Sequence, residues 1–138
     1  MKISFVIPFH NEEDNAAAML DRVSQFAASQ HWHFEIIPVN DRSADKTPQI
    51  LDRYAKKYTF IRPVHRRGGT DLGNTIGQAL KDGTKNSSGD IVIWTMGDMS
   101  DDTQTYKDIF DKIKDGYDLV FGSRYMPGGS RGNLDAFK

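Results

Sequence analysis

Three apolar runs of the chain are each followed by polar side chains that could bind a ligand. The polar residues after these runs are Asn11 with Glu12, then Asp41, then Asp98. Polar groups at the carboxyl ends of buried strands form the ligand site of open α/β sheets. A carboxylate such as that of Asp98 can hold a hard divalent cation, which can in turn hold a diphosphate. The spacing therefore predicts one site at one sheet edge, with Asp98 as its cation ligand.

The elements that would position these side chains follow from hydrophobic periodicity. Short, nearly continuous apolar runs are typical of strands buried on both faces, and they occupy residues 3–7, 34–39, 60–64, 91–94 and 119–121. Between them, apolar residues recur at helical spacing within residues 16–27, 50–58, 72–80 and 106–113. This alternation of strands and helices predicts an α/β fold with a mostly parallel sheet and helices on both faces.

Helix-start signals agree with this assignment. Thr47 followed by Pro48 is typical of an N-cap and the first helical position. Because Thr47 would then cap the second helix, the carboxylate of Asp41 is left for another role. The expected caps of the other helices are Asn11, Asp71, and Asp101 with Asp102.

Composition narrows the class of protein. The chain has 138 residues, which favours one domain, and a net charge of −1 with acids and bases interspersed. That balance argues against a nucleic-acid partner, which needs a basic patch. Without cysteine, the chain has neither a disulfide framework nor a thiolate metal site. No apolar run approaches the roughly 20 residues that span a bilayer, and no signal segment is recognisable, so a soluble, cytoplasmic protein is expected.

Four segments resemble, in order, the motifs of family 2 glycosyltransferases. Val6–Glu13 is similar to the family's Val-Ile-Pro-x-Tyr-Asn-Glu, and Val39–Thr47 to its Val-Asp-Asp-Gly-Ser-x-Asp-Gly-Thr. Gly89–Asp90 followed by Met96–Ser100 resembles Gly-Asp and then Asp-Ala-Asp-Leu-Ser. Phe121–Gly129 resembles the Gly-Ser-Arg-Tyr-x-x-Gly-Gly of the dolichyl- or polyprenyl-phosphate mannose synthase branch. The matches cover most of the chain, which is identified as a member of this family.

The resemblance implies the nucleotide-diphosphosugar transferase (GT-A) architecture and a hexosyltransferase that inverts the anomeric carbon. The donor would be a GDP- or UDP-sugar, and the acceptor a polyprenyl or dolichyl phosphate at the membrane surface. Residues 1–125 would form the nucleotide-sugar-binding domain, and residues 126–138 a flexible loop leading into a missing acceptor-side segment. The general base would lie in that segment, so this truncated chain alone could be inactive. The full-length protein is expected to be cytoplasmic and peripheral to the membrane.

The alternative is a non-catalytic nucleotide-sugar-binding module. Met96 stands where the family has the first Asp of its metal motif, and a thioether is a poor ligand for a hard cation. Either Asp98 suffices together with phosphates, or Asp101 and Asp102 contribute, or the metal is held weakly. All three interpretations stay open from the sequence.

For the nucleoside, the resemblance implies that Asp41 accepts hydrogen bonds from the edge of the base. Asn40 replaces the first Asp of that pair, and an amide can still bond a base or a ribose. The structural alternative for Asp41 is an Asx turn that leads into the next helix. The residues of the first strand-end loop that would pack on the nucleoside are Pro8, His10, Asn11 and Glu12, with His10 in the place of an aromatic residue.

For the diphosphate, the resemblance implies Gly97 and Asp98 beside Mg²⁺ or Mn²⁺, with the cation as Lewis acid on the leaving group. Arg124 would contact phosphate oxygens as a catalytic residue, since a guanidinium suits bidentate contacts. Arg131, in a glycine-rich loop, would close over the donor. The alternative for both is a surface arginine in a disordered tail. Arg66, which begins another glycine-rich stretch, could also neutralise phosphate, and the alternative there is an exposed basic loop.

Overall fold

Eight elements alternate along the part of the chain that the structure describes. A computed structural model of the protein describes residues 1–67, 75–123, 125 and 127. The strands are β1 (Lys2–Phe9), β2 (His33–Asp41), β3 (Val64–Arg66) and β4 (Ile91–Trp94). The helices are α1 (Ala16–Ser29), α2 (Thr47–Lys57), α3 (Thr75–Lys85) and α4 (Thr103–Lys114). Residues Met1–Thr103 form one compact unit, and residues Gln104–Lys138 belong to a second.

The four strands form one sheet in the order β3-β2-β1-β4, and every neighbouring pair is parallel. Parallel neighbours need a crossover connection of about a dozen residues or more, which the helices between the strands provide. β1 is flanked on both sides, by β2 with Lys2 opposite His33 and by β4 with Ile3 opposite Ile91. The prediction of an α/β fold with a mostly parallel sheet is confirmed.

Alternate side chains of β1 pack against helices on opposite faces of the sheet. Val6 lies in a buried apolar cluster with Ala79 of α3. On the other face, Phe5 stacks on Trp32 with 6.4 Å between ring centroids, and Phe26 of α1 meets the same indole at 5.7 Å. Every residue of β1 after the first is buried, which accounts for its nearly continuous apolar sequence.

The predicted fifth strand is absent from the described residues. The run 119–121 has no strand conformation, and its Leu119 and Phe121 side chains are 70% and 77% exposed. A strand is stabilised only by hydrogen bonds to a neighbour, and none of the described strands pairs with this run. Apolar residues alone therefore gave a wrong assignment here.

The third strand is shorter than its apolar run suggests. β3 begins at Val64 rather than at Phe60, and Ile61 makes only an isolated bridge to Ile36 of β2. Pro63 stands between them and has no amide to donate to a ladder. The proline thus divides the run, and only its second part pairs continuously.

Two predicted helix caps are wrong. α1 begins at Ala16, and Asn11 adopts a φ of 52° well before it, so Asn11 does not cap the helix. Thr47 is the first residue of α2, and its amide donates to Oδ1 of Asp45 at 2.9 Å. Asp45 thus satisfies the first amide of α2, which was the role expected of Thr47. Asp71, the expected cap of the third helix, lies outside the described residues.

The amino-terminal edge of the sheet contains one buried carboxylate that links the starts of all four strands. Glu35 of β2 accepts hydrogen bonds from Lys2 Nζ at 2.8 Å, Ser4 Oγ at 2.7 Å and Arg62 Nη2 at 2.9 Å. It also accepts one from the amide of Ser88 at 2.6 Å. Burial raises the pKa of Glu35, but the bonds from Lys2, Ser4 and Ser88 outweigh it and lower the pKa to about 2.

Candidate functional site

The polar loops predicted to form a site lie at one edge of the sheet. β2, β1 and β4 are adjacent and parallel, so their carboxyl ends point the same way. Each is followed by a loop, which we call the β1 loop (residues 10–15), the β2 loop (42–46) and the β4 loop (95–102). Ligands of open α/β sheets bind outside this edge. The topology therefore brings the predicted site residues of the three loops together.

The β1 and β2 loops are joined by a dense set of hydrogen bonds. Three consecutive backbone amides of one loop donate to three side chains that follow β2: Asn11 N to Ser43 Oγ (3.0 Å), Glu12 N to Thr47 Oγ1 (2.9 Å) and Glu13 N to Asp45 Oδ2 (3.0 Å). Two bonds run the other way, from Ala44 N to Asn11 Oδ1 at 2.8 Å and from Lys46 N to Glu13 Oε2 at 3.1 Å. We call this set the loop clasp.

His10 adds a further link between the two loops. Its Nδ1 lies 2.7 Å from the backbone oxygen of Asp41. A carbonyl oxygen only accepts, so Nδ1 carries the proton, and Nε2 of the neutral ring is an acceptor. The side-chain amide of Asn11 donates to that Nε2 at 3.3 Å. The ring is thereby held at the mouth of the site in one tautomer.

Asp41 is a buried carboxylate held by two arginines. It is 3% exposed, and its Oδ1 lies 2.5 Å from Nη1 of Arg66 and 3.2 Å from Nε of Arg42. Arg66 also donates from Nε to Asp82 of α3 at 2.9 Å. Burial lowers the pKa of Arg66, but its bonds to Asp82 and Asp41 outweigh this and raise it. Oδ1 of Asp41 thus accepts from both guanidiniums.

The pairing of Asp41 with Arg66 escaped the sequence analysis. The two residues stand opposite each other where β2 pairs with β3. Their separation in sequence carries no signal for this, because the register of two parallel strands is set by packing rather than by a turn.

Asn40 is held in one orientation by a chain of three side chains. Its Oδ1 accepts from the amide of Ser43 at 3.0 Å, and its Nδ2 donates to Nδ1 of His65 at 3.1 Å. Because Nδ1 accepts, the ring proton is on Nε2, which donates to Asp52 at 2.7 Å. Asn40 therefore holds the backbone of the β2 loop at Ser43.

Gly97 allows the β4 loop to approach the end of β1. A Cβ at this position would lie 2.6 Å from Cδ1 of Phe9 and 2.7 Å from the backbone oxygen of Pro8. Such distances exclude any side chain. The glycine of the motif thus allows the chain just before Asp98 to lie against the end of β1. Pro8 itself is buried beneath that contact.

Asp98 fits a hard cation as a single oxygen ligand. It is exposed, and its Oδ1 accepts from the amide of Ser100 at 3.0 Å. Within the described residues, no group of three His, Cys, Asp or Glu side chains could enclose a metal ion. Magnesium often binds through one or two carboxylates together with phosphates and water. A cation on Asp98 would accordingly take its other ligands from a phosphate-bearing ligand and water.

The β4 loop is braced by one of its own side chains and by one side chain of α1. Asp101 accepts with Oδ2 from the Thr95 hydroxyl at 2.8 Å and from the amide of Met96 at 2.9 Å. Arg22 of α1 donates to the backbone oxygen of Met99 at 3.0 Å. Asp101 thus closes the turn after β4, a structural role that differs from the expected helix cap. The side chains of Arg124 and Arg131, also predicted for the site, lie outside the described residues.

Comparison with known proteins identifies relatives of this chain. The family model described as "Glycosyl transferase family 2" matches residues 4–135. The chain is 30% identical to the dolichol-phosphate mannosyltransferase of Pyrococcus furiosus over 140 residues, covering 100% of this chain and 37% of the relative. It is also 30% identical to the bactoprenol glucosyl transferase of Shigella phage SfV over 126 residues, covering 90% and 39%. The chain thus spans about two fifths of the length of these relatives.

Solved structures share the fold. S. aureus TarS 1-349 in complex with UDP-GlcNAc superposes with a TM-score of 0.62 at 20% identity, covering 91% of this chain and 39% of that one. The mannosyltransferase PcManGT from Pyrobaculum calidifontis, in complex with GDP-Man and Mn²⁺, gives 0.51 at 21% identity, covering 70% and 27%. The shared architecture confirms the predicted GT-A fold.

Proposed function

The chain belongs to glycosyl transferase family 2, and on that basis we propose that it forms the donor-binding part of an enzyme that transfers a hexosyl group from a nucleotide-diphosphosugar. The observation that carries the proposal is the meeting of three strand-end loops at one sheet edge, with a buried carboxylate in Asp41 and an exposed one in Asp98. The two carboxylates differ in their surroundings, so we assign them different roles. Asp41 suits the role of a fixed hydrogen-bond acceptor, and Asp98 suits the binding of a cation that also contacts water and phosphate.

The proposed donor is a UDP- or GDP-sugar bound with Mg²⁺ or Mn²⁺. The ligands named with the two structural neighbours, UDP-GlcNAc in one and GDP-Man with Mn²⁺ in the other, support this class. Asp41 would accept from the base, and the loop residues Pro8, His10, Asn11 and Glu12 would pack on the nucleoside. His10 offers a flat ring at this place, and both of its ring nitrogens are used within the two loops, by the Asp41 carbonyl and the Asn11 amide.

For the reacting end of the donor, Asp98 would hold the cation, with Gly97 allowing its approach. The bound cation would supply Lewis-acid stabilisation of the leaving diphosphate. Arg124 and Arg131 are proposed to neutralise phosphate oxygens, by analogy with the family motif in which Arg124 stands. The displacement would invert the anomeric carbon.

The proposed acceptor is a polyprenyl or dolichyl phosphate at the cytoplasmic surface of a membrane. The names of the two relatives, a dolichol-phosphate mannosyltransferase and a bactoprenol glucosyl transferase, support a lipid-phosphate acceptor. Across the described ranges, no helix has the length and apolarity needed to cross a bilayer.

The transfer itself is tested with a lipid extraction assay on the protein at its natural length. The protein is incubated with Mn²⁺, radiolabelled GDP-mannose or UDP-glucose, and a polyprenyl phosphate in detergent. We expect label to enter the organic phase only when the lipid phosphate is present. Donor binding without any lipid-linked sugar, for either donor, would contradict the transferase proposal.

A non-catalytic nucleotide-sugar-binding module is the second candidate, and Met96 favours it. If the thioether displaced a needed ligand, Met96→Asp would strengthen the binding of a metal–nucleotide complex. We expect less than about a twofold change, because Asp98, phosphates and water can complete the coordination. A variant that binds more than about tenfold tighter and gains transfer activity would identify the native chain as the binding module.

A further inference from the structure

The loop clasp has a chemical regularity that base contact and metal binding do not explain. We propose that Ser43, Asp45 and Thr47 are positioning residues that hold the β1 loop on the nucleoside, so that the β1 and β2 loops grip the donor as one unit. This inference rests on the proposed function, and it assigns a role in donor binding to three residues that need not touch the donor.

The backbone amides that donate in the clasp follow a regular pattern. The amides of residues 11, 12 and 13 are consecutive, and each donates to a different side chain at 2.9–3.0 Å. These amides lie between β1 and α1, where neither a ladder nor a helix can satisfy them. Asn11, at φ 52°, is in the left-handed conformation, which asparagine adopts more readily than most other residues. In this conformation of the β1 loop, the acceptors of the β2 loop and of Thr47 satisfy all three amides.

Asp45 accepts hydrogen bonds with both of its carboxylate oxygens. Oδ2 accepts from Glu13 N at 3.0 Å, and Oδ1 accepts from Thr47 N at 2.9 Å. Burial raises the pKa of Asp45, but bonds from Thr47 and Glu13 outweigh it, so the pKa is lowered and the ionised form is favoured. One carboxylate thus ties the β1 loop to the first amide of α2. An asparagine could accept only one of these bonds and would turn its own N–H₂ toward the other amide.

Thr47 contributes a buried acceptor to the clasp. Its side chain is fully buried, and its hydroxyl oxygen accepts from Glu12 N at 2.9 Å. A buried hydroxyl at the start of a helix commonly caps that helix, but here the cap bond is made by Asp45. The Thr47 side chain also bonds the carboxylate of Asp45, so its hydroxyl joins Asp45 to the neighbouring loop.

The consequence for the donor follows from His10. Its Nδ1–H donates to the backbone oxygen of Asp41 at 2.7 Å, and the clasp begins at the next residue. The ring proposed to lie on the nucleoside and the carboxylate proposed to bind the base are thus fixed relative to each other. Loss of one clasp bond should weaken donor binding even though the lost group makes no contact with it.

The test compares Thr47→Val, Thr47→Ser and Ser43→Ala with the wild-type protein. Thr47→Val keeps the shape but removes the acceptor, Thr47→Ser keeps the acceptor, and Ser43→Ala probes the clasp at a less buried position. The matched control is Thr84→Val, which removes a part-buried hydroxyl of α3 that accepts from Trp94 Nε1. Two quantities are measured at a temperature where each variant is folded: amide hydrogen exchange at residues 11–13, and the dissociation constant of UDP or GDP.

We expect Thr47→Val to speed exchange at residues 11–13 and to weaken nucleotide binding by about tenfold, because the part-buried amide of Glu12 loses its acceptor. Ser43→Ala should act in the same direction by a smaller factor, about threefold to fivefold, because water can reach the Asn11 amide that it leaves without an acceptor. Thr47→Ser should stay within about twofold of wild type, as should Thr84→Val. If Thr47→Val does not fold, Ser43→Ala carries the comparison. Faster exchange with unchanged nucleotide affinity would overturn the positioning role. Unprotected amides in wild type would overturn the clasp itself, whereas failure of wild type to bind any nucleotide would overturn the proposed function instead.

Discussion

At the scale of single residues, Asp41 shows that one carboxylate can be tied to both the fold and the proposed site. The sequence suggested that it was left for a ligand because Thr47 would cap the following helix. In the structure, Asp41 is the buried partner of Arg66 and Arg42. Removing its side chain should therefore affect stability as well as ligand binding.

We expect Asp41→Ala to lower the free energy of unfolding by about 2–3 kcal/mol, because Arg66 would lose its buried partner and keep only Asp82. The measurement is urea unfolding at neutral pH. Asp82→Ala is the matched control, since it removes the more exposed partner of the same guanidinium and should cost less than about 1 kcal/mol. Equal losses in the two variants, or no loss in Asp41→Ala, would show that burial does not govern this pair.

Glu35 predicts a pH dependence of stability. Its pKa is about 2 in the folded protein, against an ordinary value of 4.5. Because the folded pKa is depressed, the stabilisation is complete above about pH 4.5 and is lost as the pH falls through 2. Its size is about 3 kcal/mol, given that the side chain is 4% exposed.

Urea unfolding between pH 7 and pH 2 checks this contribution of Glu35. Wild type should lose stability across the acid range, and Glu35→Gln should start less stable and lose correspondingly less. The expected difference between the two proteins shrinks toward acid pH, since protonation removes the charge that the substitution removes. Parallel curves for the two proteins would assign the acid sensitivity to other carboxylates.

At the scale of elements, periodicity was sufficient wherever an element is central and buried. β1, β2 and the stripe of α1 were predictable from their spacing, because tertiary burial and sequence pattern coincide there. The run 119–121 failed because a strand also needs a partner, which no local pattern reports. The clasp was equally hidden, since its bonds join residues 11–13 to residues 43–47 across the end of a strand pair.

The close approach of α3 to the sheet yields a prediction at this scale. A Cβ on Gly83 would lie 2.4 Å from Cγ1 of Val6 and 2.8 Å from Cγ2 of Val39. We expect Gly83→Ala to destabilise the protein by about 1–3 kcal/mol through overpacking. Gly77→Ala, at an exposed position of the same helix, should instead be neutral or stabilising by up to about 1 kcal/mol, because alanine favours a helix. Thermal unfolding of both variants distinguishes packing from helix propensity.

At the scale of the whole molecule, the two edges of the sheet do different work. The amino-terminal edge is closed by the polar network around Glu35, which ties four strand starts together. The carboxyl-terminal edge carries the three loops, with exposed Asp98 and the clasp. The family motifs in the sequence predicted the ligand site at this carboxyl-terminal edge. The way in which Gly97, Ser43 and Thr47 join the loops required the structure.

The most direct test of the account is the metal dependence of nucleotide binding. Calorimetry would give the dissociation constants of UDP and GDP with Mn²⁺ and with EDTA, for wild type, Asp98→Asn and the exposed control Asp115→Asn. We expect at least one nucleotide to bind wild type and the control about tenfold tighter with Mn²⁺ than with EDTA, a difference of about 1.4 kcal/mol, and we expect Asp98→Asn to abolish this difference. Binding that is equally tight in EDTA, or a metal dependence that survives in Asp98→Asn, would contradict the proposed role of Asp98.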